Sequence, residues 1–259
     1  MAIIKHIQFT GFLLLFIASI TAQSNCLPDG ITFNTQKEID DFAINYPNCT
    51  EILGDLILGD TWKSSQSITS LSAFNQLTSI KGDLRILSND VLSSLKGLEN
   101  ITYIGGKLWI SNNPKLTNFK GLERITDVGG ITIRVNNSLT SITALKQINK
   151  NRGSLTIYKN DVLTNLSGLD NLTMIEGLMI YNNNILTDLN GLRHITHVNG
   201  YLMIKENTLL KSLTDLNIKH IEKGVFISRN NNLTDLNGLE AITNINGDLT
   251  VEENSVLTD

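Results

Sequence analysis

His194 and His197 stand three residues apart, and an H-x-x-H spacing could begin a metal site. A bound zinc ion needs further ligands, and no cysteine or acidic pair stands at ligand spacing beside them, so both are expected to be solvated on a variable turn. Acids that could move protons, such as Asp170, Asp188 and Asp235, are scattered over exposed turn positions rather than paired. Gly105-Gly106 and Gly129-Gly130 lack the spacing of a phosphate cradle and read as turn glycines. The glycine-rich calcium nonapeptide of other β-solenoids is missing as well. These residues offer no catalytic, metal or cofactor site, and the chain reads as a non-enzyme. Modification is another matter, because six N-x-S/T sequons occur, at Asn48, Asn100, Asn136, Asn165, Asn171 and Asn232. Asn100, Asn165 and Asn171 fall at outward turn positions and are open to glycosylation in a host that glycosylates, whereas Asn136 belongs to an interior row.

What positions all of these residues is a repeat. Asn89, Asn113, Asn136, Asn160, Asn183, Asn207, Asn230 and Asn254 recur at alternating steps of 24 and 23 residues. Ile or Val stands three residues before each, from Ile86 to Val251, and Leu three residues after each, from Leu92 to Leu257. A further Leu follows nine past the asparagine, usually behind glycine, as in Gly97-Leu98 and Gly191-Leu192. A unit of this length cannot bury its own apolar face and must stack on copies of itself. Its L-x-I segment alternates and is rich in β-branched residues, which predicts a short strand with one inward face and a parallel sheet across coils. The remaining apolar positions, three residues apart and broken by glycine, are too short for crossover helices and predict turns, extended pieces and a further short strand. The expected fold is mainly β: a right-handed parallel β-solenoid, leucine-rich-repeat-like, with a short N-terminal capping helix.

An asparagine at one fixed place per coil would lie about 4.8 Å from its next copy. Its amide can donate to one neighbour and accept from another, satisfying backbone groups where the chain turns inward. Since such an interior is fixed, ligand contacts must come from outward positions. On the strands these are Arg85, Trp109, Thr132, Thr156, Met179, Met203, Phe226 and Thr250, then Leu87, Ser111, Arg134, Tyr158, Tyr181, Lys205, Ser228 and Glu252. Trp109, Tyr158, Met179, Tyr181, Met203 and Phe226 would form a partly apolar band edged by Arg134 and Lys205, of the kind that protein and carbohydrate contact surfaces use.

The 259 residues fit one long core, and the unbroken register leaves no linker for a second domain. Residues 1–22 read as a signal peptide, with Lys5, an apolar run from Phe12 to Ile20 and cleavage after Ala22, too short for a membrane span. With 21 basic and 25 acidic residues the net charge is −4, and the absence of a basic stripe argues against nucleic acid as a partner. Residues 23–53 form an N-terminal cap, in which Thr35-Gln36-Lys37-Glu38 has capping-box form and Ile39, Phe42 and Ala43 are expected to face one way on a helix. Residues 54–259 make about nine coils, the first lengthened by Trp62-Lys63-Ser64-Ser65-Gln66. Asn151 and Glu222 stand where Ile or Val is expected and predict bulges. The chain stops halfway through the ninth coil, which suggests a fragment or end-to-end self-association through the bare end.

The repeat is close to the leucine-rich repeat but places Leu three residues after Asn, and in this it resembles the receptor L domain. That family comprises solenoid modules of insulin- and EGF-type receptor ectodomains and of secreted and cell-wall microbial proteins. Cys26, the helix-like stretch and Asn48-Cys49-Thr50-Glu51-Ile52-Leu53-Gly54-Asp55-Leu56-Ile57 look like that module's opening. The resemblance implies pairing of Cys26 with Cys49, which the oxidising compartment of an exported chain would also favour. It further implies a secreted or cell-surface recognition or adhesion module that binds an extracellular protein or carbohydrate. The alternatives are a structural spacer of the cell envelope or wall, and the non-catalytic N-terminal part of a larger secreted enzyme or receptor.

Overall fold

A computed structural model describes residues 25–60 and 68–258. The expected signal peptide and the Trp62 insertion lie outside the described residues. The chain is a mainly β parallel solenoid of about nine turns with two short helices. Each full coil adds a strand to a broad sheet, running from Ile31–Phe33 through Leu56–Gly59, Leu84–Leu87 and onward to Leu249–Glu252. Like residues meet like across it: Leu155 opposes Leu178 and Ile157 opposes Ile180, which in turn oppose Leu202 and Ile204. Two-residue strands such as Ser79–Ile80, Met174–Ile175, His197–Val198 and His220–Ile221 form a second, narrow row. Among the described residues no helix is long and apolar enough to cross a membrane.

Two coils differ from expectation. Tyr103–Ser111 and Asp127–Arg134 are single strands that run from the narrow row into the broad sheet straight through Gly105-Gly106 and Gly129-Gly130. These glycines therefore sit within strands and not in turns. Their coils approach closely: a Cβ on Gly129 would lie 2.5 Å from the Gly105 carbonyl oxygen. The shift in pairing between Ile104 and Lys107 absorbs the one-residue difference between coils of 24 and 23.

The interior is one apolar column with an amide ladder along it. Asn160 illustrates the unit: its Nδ2 donates to the Ile133 carbonyl of the preceding coil at 3.1 Å and to its own coil's Tyr158 carbonyl at 3.1 Å. Its Oδ1 accepts from the Asn136 backbone N–H at 3.2 Å. Asn183 repeats all of these bonds and Asn207 those that run between coils, and every ladder residue from Asn89 to Asn230 is fully buried. The residue before each ladder asparagine adopts a left-handed conformation, from Ser88 at φ 52° to Glu253 at φ 53°, including β-branched Val135 at φ 55°. Such a conformation strains a residue with a Cβ, and the ladder's bonds at the same corner supply the compensation.

The turn after the ladder is built in more than one way. Gly121 and Gly191 take φ 116° and φ 107°, and a Cβ at Gly191 would sit 2.1 Å from the Leu166 carbonyl oxygen. Where alanine replaces that glycine, at Ala73 and Ala144, the chain instead winds the 3-10 helices Ser72–Phe74 and Thr143–Gln147. The interior row occupied by Ile104, Val128, Ile175 and Val198 contains Asn151, 7% exposed, with both amide atoms unbonded. There the narrow row breaks: Lys150–Asn151 pairs with Asp127–Val128 but not with Met174–Ile175. At the other expected bulge the register is corrected, because Ile221, 1% exposed, fills the interior position and Glu222 faces solvent.

The cap begins both rows itself: Asn25–Cys26 pairs with Glu51–Ile52, and Ile31–Phe33 with Leu56–Leu58. Cys26 and Cys49 are joined in a disulfide that closes a loop with a sequence separation of 23. A loop of this size stabilises by about 3 kcal/mol in the chain-entropy account. Helix α1, Gln36–Asp40, has its full capping box, with Glu38 accepting from the backbone N–H groups of Asn34 at 2.7 Å and Thr35 at 2.9 Å. Helix α2, Phe42–Asn45, starts anew at Asp41, and this break turns Ala43 outward, contrary to expectation, while Ile39 and Phe42 are buried. Phe42 packs edge-on against Phe74 of the first coil, ring centres 5.0 Å apart.

Candidate functional site

The broad sheet presents two outward columns, and the structure aligns the expected band along them. Tyr158 opposes Tyr181, Met179 opposes Met203, and Met203 opposes Phe226. Trp109, Tyr158, Met179, Tyr181, Met203 and Phe226 are half-buried, and Arg134 is exposed. Leu87 and Ser228, expected to face outward, are buried.

The rings pack on their neighbours along the stack. Tyr158 and Tyr181 lie face to face at 4.5 Å with 28° between planes. The Arg134 guanidinium covers the other side of Tyr158 at 5.6 Å, Arg85 covers Trp109 at 5.9 Å, and the Lys205 ammonium covers Phe226 at 5.4 Å. A shallow cavity of about 280 Å³ lies beside Trp109, lined by Leu87, Ser111 and Arg134 among others. The buried Trp109 Nε1 has no hydrogen-bond partner there.

Charge is distributed unevenly along the same face. Arg85 is held by Asp83 at 2.7 Å and Asp55 at 3.2 Å. Arg229 bridges Glu253 and Glu206, which holds the Glu253 carboxyl below the usual range and the guanidinium above its own. Between these neutralised ends, Arg134, Lys159 and Lys205 have no ion pair among the described residues.

Two members of this surface are not in the expected band. Lys159 sits on the left-handed corner before Asn160, beside Tyr158. Tyr201, 47% exposed, packs on Phe226 at 5.8 Å. Extending the outward alternation one step before Leu202 would have found Tyr201, whereas no residue-type rule marks the corner.

Residues with apparent chemical potential elsewhere have structural tasks. Asp170 accepts from the Gly168 N–H at 2.9 Å, and Asp188 and Asp235 accept from the N–H groups of Asn190 and Asn237 two residues on. All three are half-buried and not fully exposed, since they close the turns they occupy. His194 Nδ1 contacts the Asp170 carbonyl at 2.6 Å. His197 lies in a strand of the narrow row and not in a turn, stacked on His220 at 4.8 Å. Of the sequons, Asn100 and Asn171 are exposed on the outer turns, Asn165 is half-buried with its Oδ1 accepting from Ser167 N–H, and Asn136 is in the buried ladder.

Residues 48–144 match the family described as Receptor L domain. Comparison with curated proteins and with solved structures returns no match.

Proposed function

We propose, from the receptor L domain carried at residues 48–144 as premise, that this chain is a secreted or cell-surface recognition and adhesion module. Its broad sheet binds an extracellular protein or glycan through Trp109, Arg134, Tyr158, Met179, Tyr181, Met203 and Phe226, without catalysis. The observation that carries this reading is the band itself: large half-buried side chains in adjoining register positions on one rigid sheet face. A parallel stack fixes such residues with little conformational freedom to lose, and pre-ordered aromatic contacts are what interfaces favour. A receptor L domain and the Cys26–Cys49 disulfide fit an extracellular or cell-surface protein.

The test is attachment of the full chain to cells and extracellular matrix before and after Trp109, Tyr181 and Phe226 are changed together to Ser. Loss of attachment with the melting profile retained supports the reading. Attachment that persists at full strength removes it in favour of a spacer role.

A further inference from the structure

We infer that the partner taken by the broad sheet is an extended acidic stretch of polypeptide, with carboxylates about four residues apart. This rests on the recognition reading above and names the chemistry of its ligand.

Charge is the first ground. The chain is acidic overall, at −4, yet the centre of the sheet holds Arg134, Lys159 and Lys205 without an ion pair among the described residues. Of the nearby acids, Glu206 engages Arg229 and the Asn182 amide, Asp127 engages Arg152 and Glu176 the Asn199 amide. Asp161, two residues after Lys159, keeps a buried carboxylate oxygen without a hydrogen-bond partner among the described residues, which leaves Arg134 and Lys205 as the open cations. The broad-sheet segments Ile131–Arg134, Leu155–Tyr158, Leu178–Tyr181 and Leu202–Lys205 contain no acidic residue. With a Debye length of about 8 Å at physiological salt, this local surplus and not the net charge decides what docks there.

The packing at Tyr158, in the middle of the band, favours polypeptide over sugar. A saccharide platform needs an open ring face, but both faces of Tyr158 are covered, by Arg134 and by Tyr181. Trp109 carries Arg85 on one face, and Phe226 is flanked by Lys205 and Tyr201. At Tyr158 what remains available is the ring edge and the hydroxyl, which suit the carbonyls and side chains of a peptide.

Register supplies the spacing. Arg134, Tyr158, Tyr181 and Lys205 oppose one another on four successive strands. Three interstrand steps of about 4.8 Å set the two cations about 14 Å apart, and an extended peptide at about 3.3 Å per residue spans this in about four residues. Residues i and i+4 of an extended chain also share a face, so two carboxylates at that interval reach both cations together.

The experiment titrates the full chain with the labelled peptide Gly-Glu-Gly-Ser-Gly-Glu-Gly, its Gln-for-Glu counterpart and chondroitin sulfate, with tyrosine ring resonances as readout. The acidic peptide is expected to bind about tenfold more tightly than the Gln peptide, from two partly exposed ion pairs. It should shift Tyr158 and Tyr181 and lose that advantage in Arg134→Glu/Lys205→Glu. The double variant should instead prefer a Lys-for-Glu peptide, an outcome that a folding defect cannot produce. Equal binding of the acidic and Gln peptides, indifference to the charge reversal, or preference for chondroitin sulfate would overturn the inference. If the peptide fails while the Trp109/Tyr181/Phe226 triple change still abolishes attachment, only the acidic partner is wrong. If attachment also survives the triple change, the recognition reading itself has failed.

Discussion

Replacing Asn160 with Leu removes one rung from the middle of the amide ladder. The side chain's Oδ1 is the acceptor for the Asn136 backbone N–H at 3.2 Å, and its Nδ2 the donor to the Ile133 carbonyl at 3.1 Å. Both backbone groups lie at a fully buried corner, where water cannot replace the lost partner. Each stranded group costs about 1–3 kcal/mol, and Leu returns part of this through apolar burial, so a net loss of about 2–4 kcal/mol is expected. Asn254 provides the internal control: it is half-buried, and its Nδ2 donates to the Ile227 carbonyl at 2.9 Å. Asn254→Leu releases the Ile227 carbonyl and the Asn230 N–H at a part-buried site, which water reaches more readily than the Asn160 corner, so its cost should be the smaller of the two. Urea titration of both variants gives the difference, and hydrogen exchange at the Asn136 amide reports the orphaned donor independently of two-state behaviour, which stacked repeats do not always obey. An unchanged midpoint for Asn160→Leu, or equal losses for the two variants, would refute the ladder's role.

Gly191→Ala should cost about 2–4 kcal/mol in denaturant titration, because φ 107° is a glycine conformation and the added Cβ meets the Leu166 carbonyl oxygen. The opposite sign is expected for Asn151→Val, which replaces an unbonded buried amide with the residue found at Val128 and Val198 and should stabilise by about 1–2 kcal/mol; a destabilised variant would contradict this. Glu38 is held below its ordinary pKa chiefly by the Asn34 N–H, so its contribution to the cap is present above the unfolded value of about 4.3 and is lost as pH falls through the lowered folded value. The thermal stability difference between wild type and Glu38→Gln should therefore shrink towards zero on acidification, and a difference independent of pH would exclude the carboxylate's charge as the cause.

The strands, the inward residues and the positions of the ladder were legible in the sequence because a stacked coil repeats its constraints: an apolar side chain or amide must recur wherever the interior recurs. The corner before each ladder asparagine was not, since Ser88, Val135, Lys159 and Arg229 share no chemistry and are held left-handed by the bonds of the next residue. The acids at Asp170 and Glu240 escaped for a related reason, as each closes a turn by accepting from the glycine N–H two residues before it, a local role that looks like surface charge. Glu222 was misplaced because the coil from Asn207 to Asn230 loses its residue before the narrow strand, which moves Ile221 into the interior position. For the candidate surface, alternation along the strands identified the band, but the stacking of its rings and the unpaired state of Arg134, Lys159 and Lys205 depend on neighbours contributed by other coils.

The most direct measurement places a photo-crosslinking residue at Met179, in the centre of the broad sheet, and separately at Thr187, on an exposed turn, and exposes each full chain to living cell surfaces. The account predicts adducts from Met179 that are competed by excess unlabelled chain, and none from Thr187. Adducts from Thr187 alone, or equally from both positions, would contradict a recognition surface on the broad sheet.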